Sequence, residues 1–475
     1  MGRIVRSAAI SASSLVGGSI ELTENACDHG PKRAVSPWDG DRDSAGIVAV
    51  VGAGKMGLPL AAQFAGHGWR VIAVDIDPQV VDAINAGRSH VVEEPGLGRI
   101  VAEQHHAGRL SATLDGKAAA SEADVVVLIV PVMLDAEGRP GYRHMDAAVE
   151  AIGPGIHEGS LVVFETTLPV GDTRGRYVPR LEALSGLVAD RDFFVAFSPE
   201  RLYSGSAIRN LATYPKLVGG IGAGSGDRAA AFYASVLDAE IVLMGSAEAA
   251  EFAKLADTTY RDVNIALANE FARYADRVGV DVGEVIAAAN SQPYSHIHQP
   301  GIGVGGHCIP VYPRFLLARA PDMELVAVSR RVNDDQVGLA VERLRELLGG
   351  LKGAVVLVLG LTYRAGVKEL AYSRAMPLIE LLTAGGARVL AHDPLLSDDE
   401  IAHCGAEPWA WGARAPGVTA IVTQTEDPLY ASFDMAWAPD LKVVVDGRNS
   451  LRDLALPAGV AYVGFGTTSA RRSTA

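Results

Sequence analysis

Residues 301–316 read GIGVGGHCIPVYPRFL and set one thiol, Cys308, directly after a glycine-rich turn and ahead of Pro310 and Pro313. Glycines let a backbone approach its surroundings closely, and prolines fix the path by which the chain leaves. A thiol in such a loop is presented rather than packed. As thiolate, cysteine is a nucleophile able to form a covalent bond to a carbonyl carbon near neutral pH.

A second group of residues points to a nucleotide. Gly52, Gly54 and Gly57 stand in GxGxxG spacing within GIVAVVGAGKMGLPLAAQFAGHGWRVIAVDID. Ile47 to Val51 read as a strand buried on both faces, an apolar helix runs to Gly66 or Gly68, and a second strand, Val71 to Val74, ends at Asp75. Glycines alone are weak evidence; embedded as strand, turn, helix, strand and acid they are a strong dinucleotide signature. The turn lets a pyrophosphate sit on the helix N-terminus, where free N–H groups and the dipole favour anions. Asp75 accepts from ribose hydroxyls and repels a 2′-phosphate, so the expected cofactor is NAD.

These residues need a scaffold, and the rest of the chain supplies its outline. The runs at 123–132, 160–173 and 193–202 are further apolar strands, each ending in a polar or proline-containing exit of the kind that binds ligands in α/β sheets. Residues 247–280 contain no proline, with apolar residues at helical spacing, and predict one long helix. After Lys352 a second strand–loop–helix–strand pattern ends at Asp393, with VVVDGRN (443–449) adding another strand. Only Gly360 stands near a GxGxxG position there, so this half reads as a partner nucleotide-binding domain rather than a second NAD site. The expected fold class is α/β, two Rossmann-like doubly wound domains joined by a long central helix. The divisions are a disordered leader 1–45, an NAD-binding domain 46–245, a central helical and cysteine segment 246–345, the partner nucleotide-binding domain 346–465 and a tail 466–475.

Bulk properties narrow the class. A chain of 475 residues with a formal charge of −14 suits a multidomain globular protein and argues against a duplex nucleic-acid surface. Three separated cysteines, Cys27, Cys308 and Cys404, allow neither a disulfide framework nor a CxxC metal pair. No metal site is expected. No apolar run spans a bilayer, and the expected location is the cytoplasm.

Several separated motifs agree on one family. GAGKMGLPLA with Asp75, EEPGL (93–97), TTLPVG (166–171), SPERL (198–202), EFAKLADTTYRDVNIALANE (251–270), GGHCIP (305–310) and LGLTYRAGVKE (359–369) occur in family order. The chain resembles the UDP-glucose/GDP-mannose dehydrogenase family over roughly residues 46 to 465, and most of all its UDP-N-acetylmannosamine dehydrogenase branch. The resemblance implies a four-electron oxidation of a sugar CH₂OH to a carboxylate with two NAD in turn. It also implies a homodimer or higher homo-oligomer built through the middle helices.

The same resemblance assigns roles. Cys308 is the nucleophile that holds the intermediate aldehyde as a thiohemiacetal and then a thioester. Lys254 stabilises oxyanions, Glu200 moves protons and activates the hydrolytic water, and Thr167 helps to hold that water. The cofactor lies against Gly52, Gly54, Lys55, Met56, Gly57, Asp75, Pro131 and Thr167. The substrate contacts are Arg201, Leu202, Tyr203, Lys254, Arg261, Asn264, Gly305, Gly306 and, for the diphosphate, Arg364, whose fork suits phosphate.

Four positions depart from the family pattern. Tyr312 replaces an Asp four residues past the cysteine, and a phenol, titrating ordinarily at about 10, is no substitute base. Thr258 replaces an Asn, Ala371 stands where an Arg is common, and YSHIHQPG lacks the Arg that often precedes the glycine loop. A changed sugar, slower thioester hydrolysis or release at another oxidation level are the expected consequences.

Overall fold

A computed structural model describes residues 46–201, 205–467 and 471–472. The expectations for the leader 1–45, for Cys27, Leu202 and Tyr203, and for most of the tail lie outside those residues.

Buried apolar runs make the strands. Ile47–Val51 (β1), Arg70–Val74 (β2), Leu110–Thr113 (β3) and Val125–Leu128 (β4) come first, followed by a small ribbon of Met133–Leu134 (β5) and Pro140–Gly141 (β6). Leu161–Phe164 (β7), Phe194–Phe197 (β8), Lys216–Gly220 (β9) and Ile241–Leu243 (β10) complete the amino-terminal half. The eight-stranded sheet has the order β10-β9-β8-β7-β4-β1-β2-β3. Its six central and right-hand strands are parallel, as right-handed strand–helix–strand units require, but β9 pairs antiparallel with β8. Both faces are covered, so β4 and β7 are apolar at every position.

The carboxy-terminal half repeats the plan with Val355–Leu359 (β11), Arg388–His392 (β12), Glu407–Pro408 (β13), Val418–Thr423 (β14), Val443–Asp446 (β15), Ala461–Val463 (β16) and Arg471–Arg472 (β17). The order β13-β12-β11-β14-β15-β16-β17 reverses direction between β11 and β14, as the first sheet does between β1 and β4. That reversal opens a crevice at the carboxyl ends of the strands, where doubly wound sheets bind ligands.

The long helix is Ala247–Val278. Ser246 caps it by accepting from the Ala249 N–H, and Gly279 ends it in the left-handed region at φ +72°. The expected strands at 123–132, 160–173 and 193–202 are shorter than their apolar runs. They stop at Leu128, Phe164 and Phe197 because the chain then leaves the sheet through Pro131, Pro169 and Pro199. The polar remainder of each run forms the ligand edge. Among the described residues no helix is long and apolar enough to cross a membrane.

Candidate active site

The glycine turn after β1 has the shape a dinucleotide needs. Gly52 sits at φ +96°, and its N–H donates to Val74 O at 2.8 Å. A Cβ on Gly57 would meet Gly52 O at 1.8 Å, so the helix Gly57–Gly66 can pack against the turn only without a side chain there. Gly54 is different: a Cβ would meet no protein atom, so its backbone faces open space on the phosphate side of the turn. Asp75 accepts from the Ala53 N–H at 2.8 Å and the Asp77 N–H at 3.0 Å, which fixes its carboxylate beside the glycines. The residues present fit a dinucleotide. Met56 stands just before the first residue of the helix without a side-chain capping bond, and Pro131 is exposed just past β4.

Lys55 has a different immediate partner. Its Nζ lies 2.9 Å from Glu93 Oε1 in the EEPGL motif, 3.5 Å from Glu369 Oε2 and 3.1 Å from Lys368 O. His307 Nε2 approaches the same Glu369 oxygen at 3.3 Å. Hydrogen bonding from His307, with further help from the Ala371 N–H and Lys55, outweighs burial and holds Glu369 down at about 2. Glu369 therefore joins the glycine turn, the residue beside Cys308 and the carboxy-terminal half. The neighbouring Glu94 is buried and accepts from the Ala207 and Ile208 N–H groups at 3.0 and 3.2 Å, anchoring the chain that follows SPERL.

Cys308 is partly buried, and its carbonyl accepts from the Tyr312 N–H at 2.9 Å as the helix Tyr312–Arg319 begins. The glycines before it serve the protein's own packing. A Cβ on Gly305 would lie 2.8 Å from Tyr363 Cβ and 2.9 Å from Tyr372 O, and Gly306, at φ +89°, donates to Ala371 O at 3.0 Å. The loop is thus moulded onto the 363–373 segment. At Ala371 it is the main chain that matters.

A buried polar network holds the loop from the other side. Arg330 Nη1 donates to Asp262 Oδ1 on the long helix at 2.5 Å and to Ile309 O at 3.3 Å. Asn333 donates to the same carboxylate at 2.8 Å, and Asn269 links Asn333 to the Gly301 N–H, each at 2.9 Å. No residue of this network was expected from sequence; the only signal is a polar SRRVNDDQ stretch within a helical pattern.

Lys254 is 7% exposed, and among the described residues its ammonium makes no hydrogen bond or ion pair. It faces the Tyr312 ring, with Nζ 5.9 Å from the centroid. The Tyr312 phenol lies beside both Cys308 and Thr167, and burial, then negative charge on Cys308, pushes it above the ordinary tyrosine range. Lys254, the Cys308–Tyr312 turn and Thr167 therefore come together from three separate segments. Thr258 offers nothing here, since its hydroxyl bonds back to Lys254 O at 3.2 Å.

Glu200 is at the same sheet edge, its N–H donating to Glu165 O at 3.1 Å, but its carboxylate pairs with Lys216 Nζ at 3.2 Å. Lys216 also binds Glu165 at 2.9 Å. Burial, the strongest influence on Glu200, pushes it up; the charge of Lys216 and hydrogen bonds overcome it and leave Glu200 below the carboxylate range. For Glu165 burial wins, and the group is raised. Sequence reasoning missed both partners, whose signal is a charged residue at the end of one apolar strand, Glu165, and at the start of another, Lys216.

Of the expected substrate contacts, Arg201 turns its guanidinium to Pro215 O. Asn264 ties down the 296–298 loop, donating to His296 O and accepting from the His298 N–H at 2.8 Å each. Arg261 shares the Lys254 face of the helix, seven residues on, and Arg364 lies 5.9 Å from the Tyr363 ring.

Three models of the UDP-glucose/GDP-mannose dehydrogenase family match: its NAD binding domain over residues 47–237, its central domain over 248–335 and its UDP binding domain over 357–453. The chain is 34% identical over 427 residues to the UDP-N-acetyl-D-mannosamine dehydrogenase of Pyrococcus horikoshii, covering 88% of this chain and 99% of that protein. It is 34% identical over 342 residues to the NDP-N-acetyl-D-galactosaminuronic acid dehydrogenase of Ralstonia nicotianae, covering 70% and 79%. Among solved structures, the Pyrococcus horikoshii enzyme superposes with a TM-score of 0.78 at 32% identity, covering 88% and 99%. A UDP-glucose dehydrogenase from Pyrobaculum islandicum gives 0.80 at 29%, covering 90% and 98%.

Proposed function

Because the chain belongs to the UDP-glucose/GDP-mannose dehydrogenase family, and so is an NAD-dependent nucleotide-sugar dehydrogenase, we propose that it oxidises the C6 alcohol of a UDP-N-acetylhexosamine to the carboxylate through a covalent bond to Cys308. UDP-N-acetylmannosamine is the first candidate, by likeness to the relatives named for it. The observation that carries the mechanism is Lys254, a buried cation whose ammonium has no anionic partner among the described residues and which shares Tyr312 with the thiol.

NAD supplies the hydride acceptor for each of the two oxidations. Gly52, Gly54, Met56, Gly57 and Asp75 hold it, with Lys55, Pro131 and Thr167 at its margins. In the first oxidation the alcohol proton passes to a carboxylate, for which Glu200 is the candidate. The Cys308 thiolate then adds to the aldehyde carbon; the C–S bond forms as the carbonyl π pair moves onto oxygen, opposite Lys254. Loss of the second hydride leaves a thioester. Water, deprotonated by Glu200, attacks it, and the C–S bond breaks to return the thiolate. Arg201, Leu202, Tyr203, Arg261, Asn264, Gly305, Gly306 and Arg364 are assigned to the nucleotide sugar, Asn264 by shaping the 296–298 loop.

The reading includes a homodimer or larger homo-oligomer formed through the exposed apolar side of the long helix, and a cytoplasmic location, supported by the unpaired thiols of Cys308 and Cys404. The test is stoichiometric. With UDP-N-acetylmannosamine and NAD, two NADH per sugar are expected, and Cys308→Ser should lose acid formation by at least a thousandfold. One NADH per sugar would indicate a two-electron enzyme. No turnover with any of a panel of UDP- and GDP-sugars would indicate a nucleotide-sugar-binding subunit. Full turnover by Cys308→Ser would sink the covalent route.

A further inference from the structure

The first sheet contains one reversal of direction with a chemical consequence. In an all-parallel sheet only the carboxyl ends of strands reach the ligand edge. Strand β9 runs antiparallel to β8, with Phe197 opposite Gly219, so its first residue, Lys216, arrives at the edge where β7 and β8 end. Glu165 follows β7 directly, and Glu200 lies three residues past β8. Lys216 Nζ stands 2.9 Å from Glu165 Oε2 and 3.2 Å from Glu200 Oε2.

Tyr233, from the helix Ala223–Val236, donates to Glu165 Oε1 at 2.5 Å, and the Lys216 ammonium lies 4.8 Å from its ring centroid. The Arg201 N–H donates to Glu200 Oε1 at 2.5 Å. Glu165 and Tyr233 are fully buried and Lys216 is 6% exposed, whereas Glu200, at 12%, is the member that reaches outward. With Lys216 it lines a cleft that also includes Pro199, Arg201, Tyr214 and Pro215. Two carboxylates share one ammonium, so the cluster is neutral when a single proton resides on the carboxylate pair.

We propose that Lys216 is a positioning residue for Glu200: it holds that carboxylate at the sheet edge in the ionised form able to accept a proton, while Glu165 competes for the same ammonium. The proposal rests on the reading of Glu200 as the group that moves protons. When Glu200 takes the proton of the substrate hydroxyl, its carboxylate becomes the acid and Lys216 remains paired with Glu165. Lys216 acts through the two carboxylates that its ammonium binds.

The test is the pH dependence of kcat, with NAD and UDP-N-acetylmannosamine, for the parent, Glu200→Gln, Lys216→Met and Lys216→Arg. Lys216→Met should move the acid limb upward by at least one pH unit. Lys216→Arg, which keeps the cation, should return the limb to within half a unit. If Lys216→Met does not fold, Lys216→Gln, which removes the charge but can still donate to a carboxylate, should move the limb in the same direction. An acid limb that is lost in Glu200→Gln yet unmoved when Lys216 is replaced would overturn the role of Lys216 alone. Parental turnover and limb in Glu200→Gln would overturn the reading of Glu200, and the positioning with it.

Discussion

Tyr312 lies one helical turn from the thiol, where the family pattern has a carboxylate. Burial and then the charge of Cys308 hold its phenol above the ordinary tyrosine range, so it stays protonated wherever the enzyme works. It can act as a donor or a wall, and not as a base. The expected result for Tyr312→Phe follows. The shape of the kcat–pH profile stays the same, because residue 312 contributes no ionisation to it. Only the magnitude falls, by up to about tenfold, the worth of one ordinary hydrogen bond. An alkaline limb that disappears in Tyr312→Phe would show that the phenol titrates during turnover. Cys308 itself was legible in the sequence because its signal is local: a thiol between glycines and prolines. What the glycines do was not legible, since they accommodate Tyr363 and Tyr372 from sixty residues away.

At the scale of elements, the long helix organises the site through buried polar side chains. Glu251, in its first turns, accepts from the Gly171 N–H at 2.6 Å and from the N–H and hydroxyl of Thr173 at 2.9 and 2.6 Å. Those bonds pin the TTLPVG exit of β7, and hence Thr167, to the helix. Burial nevertheless outweighs them and pushes Glu251 up to about 7. A carboxyl raised by folding stabilises the native state fully below its unfolded value, and that contribution is lost as pH rises through the folded one. Raising the pH from 4.5 to 7.5 should therefore remove about 3 kcal/mol of stability in the parent. Glu251→Gln should lack this component, which denaturant melts at the two pH values would measure; parallel losses in both proteins would refute it. The two Rossmann-like sheets and the helix were readable from apolar runs and glycine spacing, because those patterns are set by near neighbours in sequence. Lys216, Asp262 and Arg330 were not, because each derives its role from strand direction or helix packing over 15 to 70 residues.

At the scale of the whole molecule, one side of the long helix is left uncovered by the described residues. Tyr260, Leu267, Phe271, Tyr274 and Val278 are between 38% and 59% exposed. Their spacings of seven, four, three and four residues place all five within a narrow arc of the helix. That is the repeat of a helix–helix seam, and over 18 residues it runs for about 27 Å. Apolar stripes of this length seldom face water in a monomer. The helix carries Lys254 and Asp262 towards the cysteine loop, so covering its outer side with a second copy would stiffen the element from which the site is built. The parent should sediment as a dimer or larger assembly at micromolar concentration. Leu267→Glu with Phe271→Glu, which places two charges in the middle of the seam, should give a monomer by analytical ultracentrifugation and lower kcat more than NAD affinity, because the glycine turn is remote from the helix in sequence and belongs to the first sheet. A parent that sediments as a monomer, or a charged variant that remains assembled, would remove this stripe as the interface.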